Sequence, residues 1–229
     1  GFEASNTMSL YETARRNMVD CQIKTNGVTD EQIIDAFLNT PREIFVKDEL
    51  KSIVYSDEDI MLGEDKNAFL MEPTVFSKML QEVMPNQHDI VLNIGDDTGY
   101  STAILSQLVT TVVVIEQVPG HFDKARQIWS DMGLCNIAIV EGTPDSGGLD
   151  HAPYSLIFMN GSVCKLPESL IAQLTDGGRL CTILREQVRK SGQVVIAERI
   201  GEDDRSVRTA FDASTPYLAS YEPEEAFVF

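Results

Sequence analysis

The apolar positions of the first third of the chain recur with helical spacing. Leu10, Ala14, Met18 and Cys21 predict a helix over 9–25, stopped by Asn26-Gly27. Thr29 with Gln32 three residues on reads as a capping box. It opens a second helix with Ile33, Ile34, Phe37 and Leu38 on one face and Pro41 at its end. Arg42 to Val46 begins a connecting segment, and Glu64-Asp65-Lys66-Asn67 is a polar loop. Glu72-Pro73 starts a third helix with Val75, Phe76, Met79, Leu80 and Val83 as its stripe.

From residue 90 the pattern becomes an alternation of short apolar runs and helical segments. Strands are predicted at 90–94, 111–116, 136–140, 154–159 and 179–185, with helices at 100–109, 119–133 and 167–174 between them. Val188 to Ile200, turned by Lys190-Ser191-Gly192, reads as an antiparallel partner of the last strand, and the tail 205–229 ends in alternating apolar residues. Repeated β-α units predict an α/β fold with a mostly parallel sheet and helices on both faces. At 229 residues the expectation is one compact unit, with 1–84 as an N-terminal helical region packed on a main domain at 85–229.

The stretch that carries chemistry is Ile90-Val91-Leu92-Asn93-Ile94-Gly95-Asp96-Asp97-Thr98-Gly99-Tyr100. Strand, glycine turn and helix together bring backbone N–H groups to a ligand. A dinucleotide loop reads G-x-G-x-x-G; this one lacks the middle and the last glycine. Its spacing better resembles the G-x-G-x-G loop of S-adenosylmethionine (SAM) methyltransferases, with Asp97 in the middle. Ligands of such sheets sit beyond the carboxyl ends of the strands. The second strand ends at Glu116-Gln117, 21 residues after Gly95 for Glu116, where a carboxylate can accept both hydroxyls of a ribose. The third ends near Thr143, which can meet an adenine amino group or bond its own backbone. The fourth ends at Asn160-Gly161, a floor to the site or a turn.

Charge narrows the partners. Eighteen Lys and Arg against 36 Asp and Glu give a net −18, which repels nucleic-acid phosphate and anionic membrane. No apolar run approaches a membrane span. Gly1 to Thr7 has no signal-peptide pattern, and Met8 is a candidate natural start. Cys21, Cys135, Cys164 and Cys181 sit among apolar neighbours and read as buried free thiols of a reducing compartment, which places the chain in the cytoplasm. The three histidines are isolated, so no metal site is expected.

A wider set of residues resembles the protein-L-isoaspartate (D-aspartate) O-methyltransferase family. They are Thr40-Pro41-Arg42-Glu43-Ile44-Phe45-Val46, Tyr55-x-Asp57, Leu62-Gly63, Pro73, Gly99-Tyr100-Ser101-Thr102-Ala103, Ala152-Pro153-Tyr154 and Pro167-x-x-Leu170-x-x-Gln173-Leu174-x-x-Gly177-Gly178-Arg179-Leu180. The match spans roughly 14–185. The resemblance implies a Rossmann-like SAM-dependent methyltransferase fold with an N-terminal helical lid. It implies a protein or peptide substrate with a damaged aspartyl residue, and a methyl ester product that collapses to a succinimide. It places the cofactor at Asn93, Gly95, Asp97, Gly99, Tyr100, Glu116, Gln117, Thr143 and Asn160, and the substrate at Leu70, Met71 and Glu72. The pattern departs at four of these positions. Met71 stands where the family has an active-site hydroxyl, Asp97 where it has the central glycine, Asn93 where it has an acid, and Thr143 where it has an aspartate. No side chain is singled out as catalytic. A non-catalytic binding or regulatory module on the same fold is the alternative, and a methyltransferase for another acceptor a third reading.

Overall fold

The computed structural model describes residues 2–224, with side chains from Leu10 on. Met8 and the last residues of the tail lie outside the described side chains. A seven-stranded sheet runs in the order β5-β4-β3-β6-β7-β8-β9. Its strands are β3 (Ile90–Ile94), β4 (Thr111–Glu116), β5 (Ile137–Glu141), β6 (Tyr154–Val163), β7 (Leu174–Leu184), β8 (Gln193–Ile200) and β9 (Asp204–Asp212). β3 to β7 are parallel and β8 and β9 add on antiparallel. The chain leaves β3 for β4 on one side and returns to β6 on the other. That reversal is where a crevice opens at the carboxyl ends of the strands.

One face of the sheet is covered by helices. These are α1 (Phe2–Met18), α2 (Glu31–Asn39), α3 (Pro73–Val83), α4 (Tyr100–Ser106) and α5 (Asp123–Asp131). Met18, Phe37, Phe76 and Trp129 from these elements share a core with Val91, Val112, Leu156 and Cys181. The other face is covered more thinly. Leu170 and Ile171 of the one-turn α6 (Glu168–Ile171), with Leu218 and Tyr221 of the tail, pack on Leu92, Val113, Ile157 and Leu180.

Several sequence expectations need correction. The first helix begins by Phe2, widens to a π-turn at Val19–Ile23, tightens to a 3₁₀ turn at Lys24–Asn26 and is closed by Gly27 at φ 91°. The second helix is capped by Asp30, whose carboxylate accepts from the Gln32 and Ile33 amides, so Thr29 is not its cap. The predicted helix 167–174 is a single turn, and β7 starts at Leu174. Asp176-Gly177-Gly178 forms a bulge within that strand: a Cβ on Gly178 would lie 3.0 Å from the Tyr154 carbonyl. Asn160 does not end its strand, since Ser162 still pairs with Ile183. β9 had no strand expectation. Of the four cysteines, all free, Cys181 alone is buried; Cys21 and Cys135 are exposed and Cys164 is half-buried. Asp20 and Gln22 beside Cys21, and Asn136 beside Cys135, are the polar neighbours that go with this exposure.

Candidate functional site

β3 delivers the loop Gly95–Gly99 to the crevice. Gly95 and Gly99 take φ of 81° and 90°, and both need to be glycine for packing as well as conformation. A Cβ on Gly95 would meet a methyl of Leu218, and one on Gly99 would sit 2.6 Å from the Ala125 side chain. Asp97 is not among the left-handed residues, so a side chain there carries no backbone strain.

The loop's own N–H groups are largely spent inside the loop. Asp96 Oδ1 accepts from the Thr98 and Gly99 amides at 3.1 and 2.8 Å, and Oδ2 from the Thr102 amide and hydroxyl at 3.0 and 2.7 Å. The Tyr100 amide donates to the Thr98 hydroxyl. Asn93, fully buried, donates to the Ser101 and Thr102 hydroxyls and accepts from Asn160 Nδ2 at 2.7 Å. These two asparagines therefore lock β3 to β6 beneath the loop.

Two clefts flank Asp97. One, of about 180 Å³, is bounded by Gly95, Asp97, Ile115, Gln117, Phe122 and Pro144. The other, of about 390 Å³, lies between Phe45–Leu50, Leu62–Ala68 and α5. Both include Asp65, Ala68, Asp97 and His121, so they adjoin. The smaller falls below the ~300–1,000 Å³ usual for small-molecule sites, and the larger lies within that range. Glu116, buried at the end of β4, accepts the Phe122 amide through Oε2 at 2.8 Å. Thr143 lines neither cleft; its hydroxyl donates to Asp145 at 2.6 Å. Of the predicted stripes over 10–38, Met18, Ile33 and Phe37 pack into the core with α3 and α4, Phe37 lying 6.5 Å from the Tyr100 ring, whereas Leu10 and Cys21 face outward. It is residues 45–50 and 62–68, further along the N-terminal region, that wall the larger cleft.

The segment 69–72 lies across the loop. β2 (Phe69–Leu70) pairs antiparallel with β1 (Ile60–Met61), and the Phe69 amide donates to Asp97 Oδ2 at 3.2 Å. Leu70, Met71, Asp97, Tyr100 and Asn160 surround a gap of about 10 Å³, room for one water. Glu72 caps no helix amide with its side chain; its own amide donates to Asp59. Beneath the segment Arg42 is fully buried. Its Nε donates to the Val54 carbonyl at 2.6 Å and Nη2 to the Met71 carbonyl at 2.9 Å. Its Cζ stands 4.9 Å from the centroid of the Tyr100 ring, and burial raises the Tyr100 pKa while the guanidinium holds it down.

Burial dominates the site's electrostatics. Asp97, pressed also by Asp96 and Asp65, is pushed up to about 7, with the Phe69 amide opposing. Glu72 is pushed up to about 7 by burial and then by Asp59 and Asp57. Both carboxyls hold their protons more tightly folded than unfolded, so stability falls as pH rises from about 4 to about 7 and then levels. Melting temperatures of Asp97→Asn and Glu72→Gln should exceed that of the parent at pH 8 by roughly 2–6 °C, partial exposure tempering the gain, and by less at pH 5. An equal gain at both pH values would contradict this.

The structure thus brings Gly95, Asp97 and Gln117 to the smaller cleft and Leu70, Met71 and Tyr100 to the small gap beside it, while Glu116 and Glu72 line neither cleft. It places Asn93, Gly99 and Asn160 in the supporting framework and Thr143 outside. Sequence reasoning passed over Asp96, although Asp-x-Thr-Gly is the pattern of a side chain that bonds amides two and three residues on. It gave Arg42 no role, and nothing short of the fold could show what that guanidinium holds.

A loop of this form at the switch point, with an acid closing the next strand, puts the chain in the class of Rossmann-like SAM-dependent methyltransferases. Within that class, the sequence model of the protein-L-isoaspartate(D-aspartate) O-methyltransferase family matches residues 13–218, and the chain belongs to this family. A protein-L-isoaspartate O-methyltransferase of Methanoculleus marisnigri is 32% identical over 188 residues, covering 79% of this chain and 84% of its own. One of Herpetosiphon aurantiacus is 30% identical over 194 residues, 85% of each chain. Among solved structures, a protein-L-isoaspartate O-methyltransferase superposes with a TM-score of 0.77 at 24% identity, over 90% of this chain and 66% of that one. A Plasmodium falciparum protein described as a putative protein-L-isoaspartate O-methyltransferase in complex with S-adenosyl-L-homocysteine (SAH) gives 0.70 at 17% identity, over 91% and 97%.

Proposed function

We propose that this protein transfers a methyl group from SAM to the free carboxylate of an isoaspartyl residue in a protein or peptide. The observation that supports the reading best is the placement of segment 69–72 on the cofactor loop, tied by the Phe69 amide to Asp97. In this reading the segment carries the acceptor side of the crevice, which a pure binding module on this fold has no need of. The cleft suits the cofactor's nucleoside half: Ile115, Phe122 and Pro144 would flank the base, and Glu116, buried behind Gln117 with Oε2 on the Phe122 amide, would take the ribose hydroxyls through its other oxygen. Bound SAM would supply an electrophilic methyl on its sulfonium. The acceptor is already a nucleophile at pH 7 as a carboxylate, so no base is required. The chain's work is orientation and the exclusion of water. Phe69, Leu70 and Met71, all buried, provide the dry wall, and Arg42 fixes the Met71 carbonyl from below.

The residues before 85 serve in this reading as the lid region over the main domain. The setting is the cytoplasm, supported by four unpaired cysteines. Among the described residues no helix is long and apolar enough to cross a membrane. The net charge of −18 favours neutral or basic peptides over nucleic acid.

The test is methyl-labelled SAM with an isoaspartyl peptide, the product ester being read as base-released methanol. Slow transfer is expected, because Met71 offers no hydrogen bond at the position where the family has a hydroxyl. Met71→Ser should raise kcat by about tenfold, one charge-assisted hydrogen bond in the transition state. Absence of base-labile label from both proteins would overturn the proposal.

A further inference from the structure

In this loop the usual order of charges is reversed. An amino-acid carboxylate arriving at the loop would look for backbone N–H groups. Those of Thr98, Gly99 and Thr102 are already held by Asp96, and that of Tyr100 by the Thr98 hydroxyl. What the loop presents instead is the Asp97 carboxylate, on the wall of both clefts. The charged groups around it are mixed. Asp65 and Glu64 face it from the β1–β2 turn, Asp96 from its own loop, Lys47 from the 45–50 wall, and His121 and Lys124 from the start of α5. His121 Nε2 donates to the Asp97 backbone carbonyl at 2.7 Å and so does not neutralise the side chain. The nearest couplings that act on the Asp97 proton come from the acids Asp96 and Asp65. A second anion placed here adds to an existing repulsion, while a cation relieves it.

We propose that Asp97 makes the crevice select an adenosyl thioether or sulfonium whose tail carries an amine and no carboxylate. The nucleoside half is recognised as before, through Glu116 and the apolar walls. The tail's ammonium pairs with the Asp97 side chain, a charge-assisted contact that an amino-acid tail forms only while its own carboxylate is held against the same side chain. The inference rests on the reading of the crevice as the adenosyl site. It adds a discrimination which the glycine at this position in the family would not make, since glycine presents no charge.

Isothermal titration of the full chain at pH 8 with three probes separates the possibilities. The probes are 5′-methylthioadenosine, which has neither tail charge, SAH, and S-adenosyl-3-thiopropylamine, which is SAH without the carboxylate. The wild-type protein is expected to bind S-adenosyl-3-thiopropylamine at least tenfold more tightly than SAH, with 5′-methylthioadenosine between them. Asp97→Asn keeps an oxygen for the Phe69 amide and should bring the two tailed ligands within about threefold of each other. Its melting curve confirms that it is folded. Wild-type protein that binds SAH as tightly as the amine, or an Asp97→Asn variant that keeps the wild-type preference, would overturn the selection while leaving the adenosyl site intact. Failure of 5′-methylthioadenosine to bind would overturn the adenosyl site itself, and the selection with it.

Discussion

Replacing Arg42 with alanine will lower the melting temperature by roughly 10 °C. The side chain is fully buried, and its two hydrogen bonds end on the Val54 and Met71 carbonyls. Alanine orphans both acceptors, at about 1–3 kcal/mol each, and leaves a cavity the size of a guanidinium stem. Against this stands the relief of burying a cation that has no carboxylate in direct contact; burial itself already lowers the Arg42 pKa. The net is about 3–5 kcal/mol, and about 2–4 °C per kcal/mol for a chain of this size. Arg42→Met fills the volume and removes the charge but leaves both carbonyls unpaired, so it should cost less than alanine by the cavity contribution alone. If methionine costs as much as alanine, the hydrogen bonds rather than the packing hold the segment. If alanine costs under 3 °C, Arg42 does not hold it at all.

Asp97→Gly should tighten SAH binding by at least about tenfold at pH 8 in a calorimetric titration. Two like charges about 5 Å apart at an effective dielectric of about 20 repel by about 3 kcal/mol, and partial solvent exposure leaves about 1–3. The loop amides cannot repay this, being bonded to Asp96. The pH dependence carries the same sign. Asp97 gains its proton near pH 7, so the wild-type protein should bind SAH progressively better from pH 8.5 to pH 6, by up to tenfold per pH unit above the midpoint. The glycine variant should show no such slope. Equal affinities in the two proteins would mean that Asp97 is turned from the ligand.

The periodicity of the chain disclosed the βα core, because β-branched runs such as Thr111–Glu116 and glycine-bounded turns leave few alternatives. The end of the sheet was harder to read. The glycines at 177 and 178 punctuate a helix and a bulged strand in the same way, and only pairing with β6 decides between them. β9 alternates Arg205, Val207 and Thr209 with other partly or fully exposed residues, a weak signal for an edge strand. At the site, the positions of Gly95, Glu116 and Met71 were legible, but what each does locally was not. Asn93 was expected at the ligand and instead pairs with Asn160, a contact 67 residues away in sequence. Asp97 stands at a glycine position of the family without a left-handed backbone. Its consequence is electrostatic, through neighbours such as Asp65 that the fold alone brings close.

The central claim is methyl transfer to an isoaspartyl carboxylate, and linkage isomers of one peptide test it most directly. The same sequence is offered with an isoaspartyl or an ordinary aspartyl residue, with labelled SAM in excess, and the products are followed for base-labile ester and for succinimide. The account predicts ester and then succinimide from the isoaspartyl peptide, slowly in the wild-type protein and faster in Met71→Ser, with neither product from the aspartyl isomer. Equal methylation of both isomers, or of neither in a protein that binds SAH, would contradict it.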